Sequence, residues 1–123
     1  MPEPTYVNEI DAISRTVQHY IDGARTGKGV AMKPAFHEAA TIYGYVGADL
    51  FGGPIQNLFD WNDQNGPARD IQVRFSSIDV VGNCASVRLD MDDWTGHRFT
   101  DFFNLVKFDG QWKIVSKVFY LHP

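Results

Sequence analysis

Cysteine is almost absent from this sequence. Cys84 is the only one among 123 residues, so the chain cannot form an internal disulfide. The four histidines show none of the spacings typical of zinc ligands, and the aspartates at 90, 92 and 93 lack the glutamate that closes a calcium loop. A nucleophile elbow and a glycine-rich phosphate loop are also missing. We therefore predict neither a metal site nor a cofactor.

Long apolar runs and clustered positive charge are missing as well. No stretch approaches the ~20 apolar residues that span a bilayer, and the N-terminal MPEPTYVNEI lacks the basic flank and apolar segment of a signal peptide. The 11 Lys and Arg against 15 Asp and Glu give a net charge of -4, which argues against a nucleic-acid or anionic membrane partner. We expect a soluble, cytoplasmic protein.

Aromatic side chains are abundant, with nine Phe, five Tyr and three Trp. Each of them buries a large area, so a small chain that keeps so many is expected to have a wide core or an apolar cavity. The length fits one domain spanning residues 1–123.

The first half of the chain has the apolar periodicity of helices. A first helix is predicted from Thr5 to about Thr26, where apolar residues recur in steps of three and four, with Gly27 as its stop. A second short helix, limited by Pro34, is predicted over 30–38. The remaining predicted elements are a strand at 41–46, its partner at 49–51, a helix at 54–63 that starts with Pro54, and strands at 70–81, 84–94, 97–108 and 111–121.

Two-residue turns connect the last four strands. Asp109-Gly110 favours the type I′ turn of a tight hairpin, and Gly82-Asn83 and Thr95-Gly96 supply the other two turns. Helices followed by an antiparallel meander predict an α+β fold with the helices on one face of the sheet.

Counting outward from these turns assigns side chains to the two faces of the sheet, because they alternate along a strand. One face then collects Thr100, Phe102, Asn104, Val106, Val115, Lys117 and Phe119, with Val87, Leu89 and Met91. The other collects Phe99, Asp101, Phe103, Leu105, Trp112, Ile114, Ser116, Val118 and Tyr120, with Arg88, Asp90, Asp92 and Trp94. Both are too apolar for water, so we expect one to meet the helices and the other a second copy of the chain.

Three segments carry a resemblance to a known family: VQHYIDGARTGKG at the end of the first helix, FHEAATIYG at the junction of the second helix and the first strand, and the closing RFTDFFNLVKFDGQWKIVSKVF. In their order and spacing the chain resembles the nuclear-transport-factor-2-like superfamily, and within it the small bacterial proteins labelled "putative lumazine-binding" or polyketide-cyclase-like. The resemblance implies a cone-shaped, cystatin-like α+β roll, in which a curved antiparallel sheet wraps around three helices and encloses a cavity. It also implies a homodimer through the outer face of the sheet, assigned here to Phe103, Trp112, Ile114 and Tyr120.

Two enzymes of that superfamily can be compared position by position. In ketosteroid isomerase the oxyanion-stabilising tyrosine corresponds to Tyr20, the carboxylate base to Gly44, and the protonated acid to Asn104. Gly44 cannot abstract a proton. In limonene-epoxide-hydrolase-like relatives the catalytic carboxylate corresponds to Lys117. The comparison therefore argues against both reactions here, while it places Asn104 and Lys117 toward the cavity.

Several polar residues are candidates for chemistry, and each also has a structural interpretation. His37 could act as a base, but a backbone hydrogen bond at the junction before the strand is the favoured interpretation. Tyr20 is either a pocket hydroxyl or a core tyrosine. Lys117, in the middle of an apolar strand, could hold an acidic ligand or act as a base of lowered pKa, or could bridge to a carboxylate. Asp90 and Asp101 are expected to face each other and to form interface salt bridges.

The leading hypothesis is a pocket that binds a small, mostly apolar or aromatic molecule with a polar or anionic handle. Its candidate ligand-binding residues are Tyr20, Phe36, His37, Tyr43, Trp61, Phe102, Asn104, Lys117 and Phe119. One alternative is an isomerase, cyclase or dehydratase that uses His37 or Lys117 with Tyr20. A second alternative is a non-catalytic dimerisation module whose cavity is filled by its own aromatic side chains.

Overall fold

The computed structural model of the chain describes residues 5–123 as three helices and a six-stranded sheet. In order along the chain these elements are α1 (Tyr6–Thr26), α2 (Gly29–Met32), a 3₁₀ turn (Lys33–Ala35), β1 (Phe36–Val46), β2 (Asp49–Pro54), α3 (Gln56–Asn65), β3 (Gln72–Val81), β4 (Cys84–Trp94), β5 (His97–Phe108) and β6 (Gln111–Leu121). The predicted α+β class is confirmed, and β4, β5 and β6 begin and end where the sequence predicts. None of the described helices is both long and apolar enough to cross a membrane.

Helix α1 follows its sequence signals closely. The Thr5 hydroxyl accepts a hydrogen bond from the backbone N–H of Asn8, an N-cap that stabilises a helix by about 1 kcal/mol. Gly27, at φ 73°, ends the helix in the left-handed conformation that glycine adopts without strain. The apolar stripe of α1 lies fully buried in the core, through Ile13, Val17, Tyr20, Ile21 and Ala24.

The second helix and the first strand differ from the prediction. Helix α2 ends at Met32 and is followed by the 3₁₀ turn that contains Pro34, because proline has no N–H to continue the helical ladder. Strand β1 therefore starts at Phe36, five residues earlier than predicted, and His37 lies on this strand. Pro54 likewise ends β2 and does not start α3.

The sheet runs in the order β2-β1-β6-β5-β4-β3, with β1 and β6 parallel and all other neighbours antiparallel. The parallel pair joins the first strand of the chain to the last. Sequence patterns of short turns could not predict it, since no turn connects these strands. The helices cover one face of the sheet, here called the inner face, and the core lies between them. The opposite face is called the outer face.

A β-bulge in β6 reverses part of the predicted face assignment. The register counted from the turn holds from Phe108–Gln111 to Leu105–Ile114, but Asn104 then pairs with Ser116. Val115 is thus an extra residue, and the side chains beyond it change face.

The bulge corrects several predictions at once. Lys117 and Phe119 still face inward, but they do so together with Phe103 and not with Phe102. Phe103, Trp112 and Ile114, predicted at a dimer interface, are at most 3% exposed and belong to the core. Of the predicted interface residues, Tyr120 alone is exposed.

A second bulge lies at the end of β4. Met91 pairs with Phe99 and Trp94 pairs with His97, so β4 has one residue more than β5 in this interval. As a result Trp94 faces inward like Met91, whereas the sequence count placed these two residues on opposite faces of the sheet. The same shift pairs Asp90 with Thr100, so the predicted contact between Asp90 and Asp101 is wrong.

Candidate functional site

A small cavity lies between the inner face of the sheet and helices α1 and α3. Its floor consists of buried residues, namely Tyr20, Ile42, Leu58, Trp94 and Lys117. Its rim consists of the exposed Val46 and four partly exposed residues, namely Phe51, Trp61, Phe99 and Phe119. The cavity measures about 40 Å³, enough for about three water molecules, and opens to solvent on the rim side. It is smaller than the pockets of roughly 300–1,000 Å³ that enclose drug-sized ligands, so it accommodates only one end of such a molecule.

Three polar side chains meet at the floor of this cavity, and we call Tyr20, Asp101 and Lys117 the buried triad. The hydroxyl of Tyr20 donates a hydrogen bond of 2.6 Å to Oδ2 of Asp101. Nζ of Lys117 lies 3.3 Å from Oδ1 of the same carboxylate. Asp101 is fully buried and the side chain of Lys117 is 4% exposed, so this ion pair is shielded from water. Tyr20 and Lys117 line the cavity, and Asp101 lies behind them.

Burial moves the pKa values of the ion pair toward each other. Desolvation raises the pKa of the Asp101 carboxyl, an effect that the charge of Lys117 partly offsets. Desolvation also lowers the pKa of Lys117, and the charge of Asp101 opposes this shift. The pKa of Tyr20 is raised by burial and by the neighbouring carboxylate, so its hydroxyl keeps its proton. Transfer of a proton from Lys117 to Asp101 is therefore easier here than between the same groups in water.

Aromatic rings surround the amine of Lys117. Its Nζ lies 4.8 Å from the ring centroid of Phe119 and 5.4 Å from that of Tyr20. These rings stabilise the charged form by cation–π attraction, yet they offer no acceptor to a proton. The free side of the amine faces an apolar cavity, an environment that activates lysine as a base or a nucleophile.

Four of the predicted ligand-binding residues line the cavity: Tyr20, Trp61, Lys117 and Phe119. The other five do not line it. Phe36 is buried behind Tyr20, with the two ring centroids 6.0 Å apart. Tyr43, Phe102 and Asn104 are exposed on the outer face, so their predicted place in the cavity is wrong. For Phe102 and Asn104 the cause is the bulge at Val115.

His37 also lies outside the cavity. Its Nδ1 accepts a hydrogen bond of 3.0 Å from the backbone N–H of Ala39, and its ring lies against Phe108 at 4.7 Å between centroids. It therefore has the structural position at the start of β1 that the sequence favoured over a catalytic one. Among residues 5–123 no group of three or more His, Cys, Asp and Glu side chains could hold a metal ion.

Sequence reasoning missed several apolar residues of the site and two that carry polar groups, Asp101 and Trp94. It placed Asp101 on the dimer face and took Asn104 as the polar group of β5 in the cavity. A usable signal was present, since a lysine in an apolar strand requires a carboxylate partner when it is buried. The face of Asp101 could be assigned only with the bulges of β4 and β6, which no glycine or proline marks in the sequence.

Comparison with known proteins assigns the chain to a family and its fold to a known class. The family model described as "Putative lumazine-binding" matches residues 8–120. The chain belongs to this family. Its nuclear-transport-factor-2-like fold is shared with solved structures at high similarity, and the resemblance stated from sequence is thereby confirmed.

Three relatives define what the chain is similar to. An NTF2-like protein of unknown function from Methylobacillus flagellatus KT is 47% identical, with a TM-score of 0.94 over 97% of this chain and 96% of that one. A second, from Shewanella baltica OS155, is 45% identical, with a TM-score of 0.94 over 98% and 99%. A curated protein from a Cladobotryum species, named "Aldolase FrzH", is 35% identical over 94% of both chains.

Proposed function

We propose that this protein binds a small, mostly apolar or aromatic carbonyl compound and catalyses removal of a proton from the carbon next to the carbonyl. Lys117 is the base in this proposal. The observation that carries it is the buried ion pair of Lys117 and Asp101 beneath an apolar cavity. The named activity of the relative from Cladobotryum supports the same class of chemistry, since an aldol reaction begins with such a proton transfer.

The proton balance of the step uses the buried triad. Lys117 first passes a proton to Asp101, which leaves a neutral amine beside a neutral carboxyl group. The amine then takes the proton of the substrate, so that the C–H bond breaks and its electron pair forms an enolate. The enolate carbon attacks a second carbonyl group to form a C–C bond, and the new alkoxide takes the proton back from the Lys117 ammonium.

The charge balance of the cavity favours a neutral substrate. Asp101 neutralises Lys117 at 3.3 Å, so the floor has no net positive charge left for a carboxylate. Of the polar or anionic handles predicted from sequence, the structure thus favours the polar one. The apolar rim of Phe51, Trp61 and Phe119 suits an aliphatic or aromatic remainder that extends toward solvent.

Deuterium exchange tests both binding and chemistry with one probe. Phenylacetone has acidic protons next to its carbonyl, and NMR in D₂O measures their replacement by deuterium. We expect exchange to be faster with the wild type than in buffer, and Lys117→Met to abolish the increase. Lys113→Met removes an amine of the same strand whose hydrogen bond to Pro34 is exposed, and it serves as the matched control. Equal exchange by wild type and Lys117→Met would contradict the proposal.

We also propose a homodimer through the outer face. Its exposed apolar residues include Tyr120, which the sequence suggested, and Tyr43, Phe102 and Val118, which take the place of the three buried residues. Beside them lie charges of both signs, with the ion pair of Arg88 and Asp90 among them. A second copy related by a two-fold axis can cover the apolar residues and pair such charges.

A further inference from the structure

The indole of Trp94 has an unused hydrogen-bond donor. Its Nε1 is buried and donates to none of the groups in residues 5–123, although Trp94 is only 2% exposed. Buried polar groups are nearly always paired, so an unpaired donor requires an explanation. Trp94 forms part of the cavity floor, where a bound molecule can supply the missing acceptor.

The backbone of β4 is bent to bring Trp94 to this position. Met91 is buried on the inner face and Asp92 is exposed, so regular alternation would place position 94 on the outer face. The extra residue of the bulge turns Trp94 inward. Asp93 at φ 61°, directly before Trp94, adopts the left-handed conformation that non-glycine residues rarely take, whereas the positive φ of Thr95 belongs to the two-residue turn after β4. Bulges that re-aim a side chain are typical of binding sites.

Trp94 and Lys117 are neighbours of the same ring. The centroid of the Trp94 ring lies 5.6 Å from that of Tyr20, and Nζ of Lys117 lies 5.4 Å from the Tyr20 centroid. Tyr20 itself is occupied, because its hydroxyl donates to Asp101. Among these three cavity residues, Trp94 is therefore the one with a neutral donor free for a ligand.

We propose that the indole N–H of Trp94 donates a hydrogen bond to the carbonyl oxygen of the ligand, and that this bond makes the pocket select ketones and aldehydes over hydrocarbons of the same shape. This inference rests on the proposed function. An indole nitrogen only donates, so its partner must be an acceptor. In the enolate the negative charge lies on this oxygen, so the hydrogen bond strengthens as the proton is removed.

A pair of probes with the same skeleton isolates this hydrogen bond. Phenylacetone carries the carbonyl, and 2-methyl-3-phenylpropene has a CH₂ group in place of the oxygen. The measured quantity is the ratio of their dissociation constants for wild type, Trp94→Phe and Trp61→Phe. Trp61 lies on the rim of the same cavity and is partly exposed, so its variant controls for loss of an indole from the pocket.

We expect the preference for the ketone to fall about fivefold to tenfold in Trp94→Phe, as for loss of one hydrogen bond, and to be unchanged in Trp61→Phe. In ¹H–¹⁵N spectra of the wild type, the Trp94 indole signal, assigned from wild-type backbone and side-chain resonances, should move downfield with the ketone and not with the alkene. This signal can be followed in the wild type, so the spectral test does not depend on the folding of the variant.

The outcomes separate the two proposals. Suppose that the wild type binds the ketone, that the ratio of dissociation constants is unchanged in Trp94→Phe, and that the Trp94 indole signal does not move with the ketone. This inference is then overturned and the proposed function stands. If the wild type binds neither probe, the proposed function fails and this inference fails with it.

Discussion

Lys117 and Asp101 form an ion pair on two neighbouring strands, with Nζ and Oδ1 3.3 Å apart and both side chains closed off from water. Phe103 pairs with Lys117 and Phe119 pairs with Asp101 in the ladder of β5 and β6, so the two charged residues lie diagonally. Their contact exists only because Val115 bulges out of β6. Without that bulge Asp101 and Lys117 would point to opposite faces of the sheet.

Removal of Lys117 should destabilise the protein in a pH-dependent way. In Lys117→Met the Asp101 carboxylate remains buried without its cation, and breaking a buried pair costs about 3–5 kcal/mol. The raised pKa of Asp101 rises further, since the charge that opposed the rise is gone. The folded state then holds a proton that the unfolded state releases. Stability is therefore highest below the pKa of an ordinary carboxyl and falls as the pH rises from there through the raised pKa of Asp101.

Urea unfolding at several pH values between about 4 and 9 measures this effect, because an ordinary carboxyl in the unfolded chain has a pKa near 4 and the buried one has a higher pKa. The free energy of unfolding of Lys117→Met should drop more steeply with pH than that of the wild type. Parallel curves would mean that Asp101 does not depend on Lys117. Lys113→Met, with its exposed hydrogen bond to Pro34, should run parallel to the wild type.

An apolar replacement of the whole buried triad should restore stability without activity. The triple variant Tyr20→Phe, Asp101→Leu and Lys117→Met removes every partner together, so no unpaired group remains in the core. Its stability should return to within about 1–2 kcal/mol of the wild type, because well-packed apolar residues often replace buried ion pairs at little cost. Chemical denaturation measures this, and deuterium exchange should stay at the level of buffer. A triple variant less stable than Lys117→Met would contradict the idea that the triad is kept for function.

The sequence predicts the elements of this fold better than the composition of its site. The stripe of α1, its stop at Gly27 and the three tight turns rest on local signals, so the elements they define appear nearly as predicted. The site depends on which face each strand presents beyond a bulge, and the bulges at Val115 and Asp93 lie in ordinary strand sequence. One extra residue reverses the faces of all that follow. The sequence alone therefore points to Lys117, a charged residue in an apolar strand, but not to its partner Asp101, whose face depends on the bulges.

Charge on the outer face should dissociate the proposed homodimer. Phe102, 48% exposed, lies in the middle of this face, and Phe102→Asp places a carboxylate where two copies would meet. We expect a change from dimer to monomer in light scattering coupled to size exclusion, with little change in melting temperature, since the side chain is half in solvent. Asn104→Asp adds the same charge two residues along the strand, where the native side chain is already polar. A wild type that is monomeric at high micromolar concentration would contradict the proposed dimer.

Gly44 should not accept a side chain without a loss of stability. This matters for function, because Gly44 corresponds by resemblance to the carboxylate base of ketosteroid isomerase. A Cβ at this position would lie 2.6 Å from the ring and from the carbonyl oxygen of Phe119. Gly44→Ala should therefore destabilise the protein by about 1–3 kcal/mol, as overpacking does, and should displace a ring of the cavity rim. Thermal unfolding measures the first effect, and the signals of Phe119 in NMR measure the second.

The isomerase-like carboxylate that corresponds to Gly44 by resemblance then cannot be restored by one substitution, and Gly44→Asp should lose more stability than Gly44→Ala. A stable Gly44→Asp protein would show that β1 and β6 can move apart and that this edge of the cavity is open to a second catalytic group.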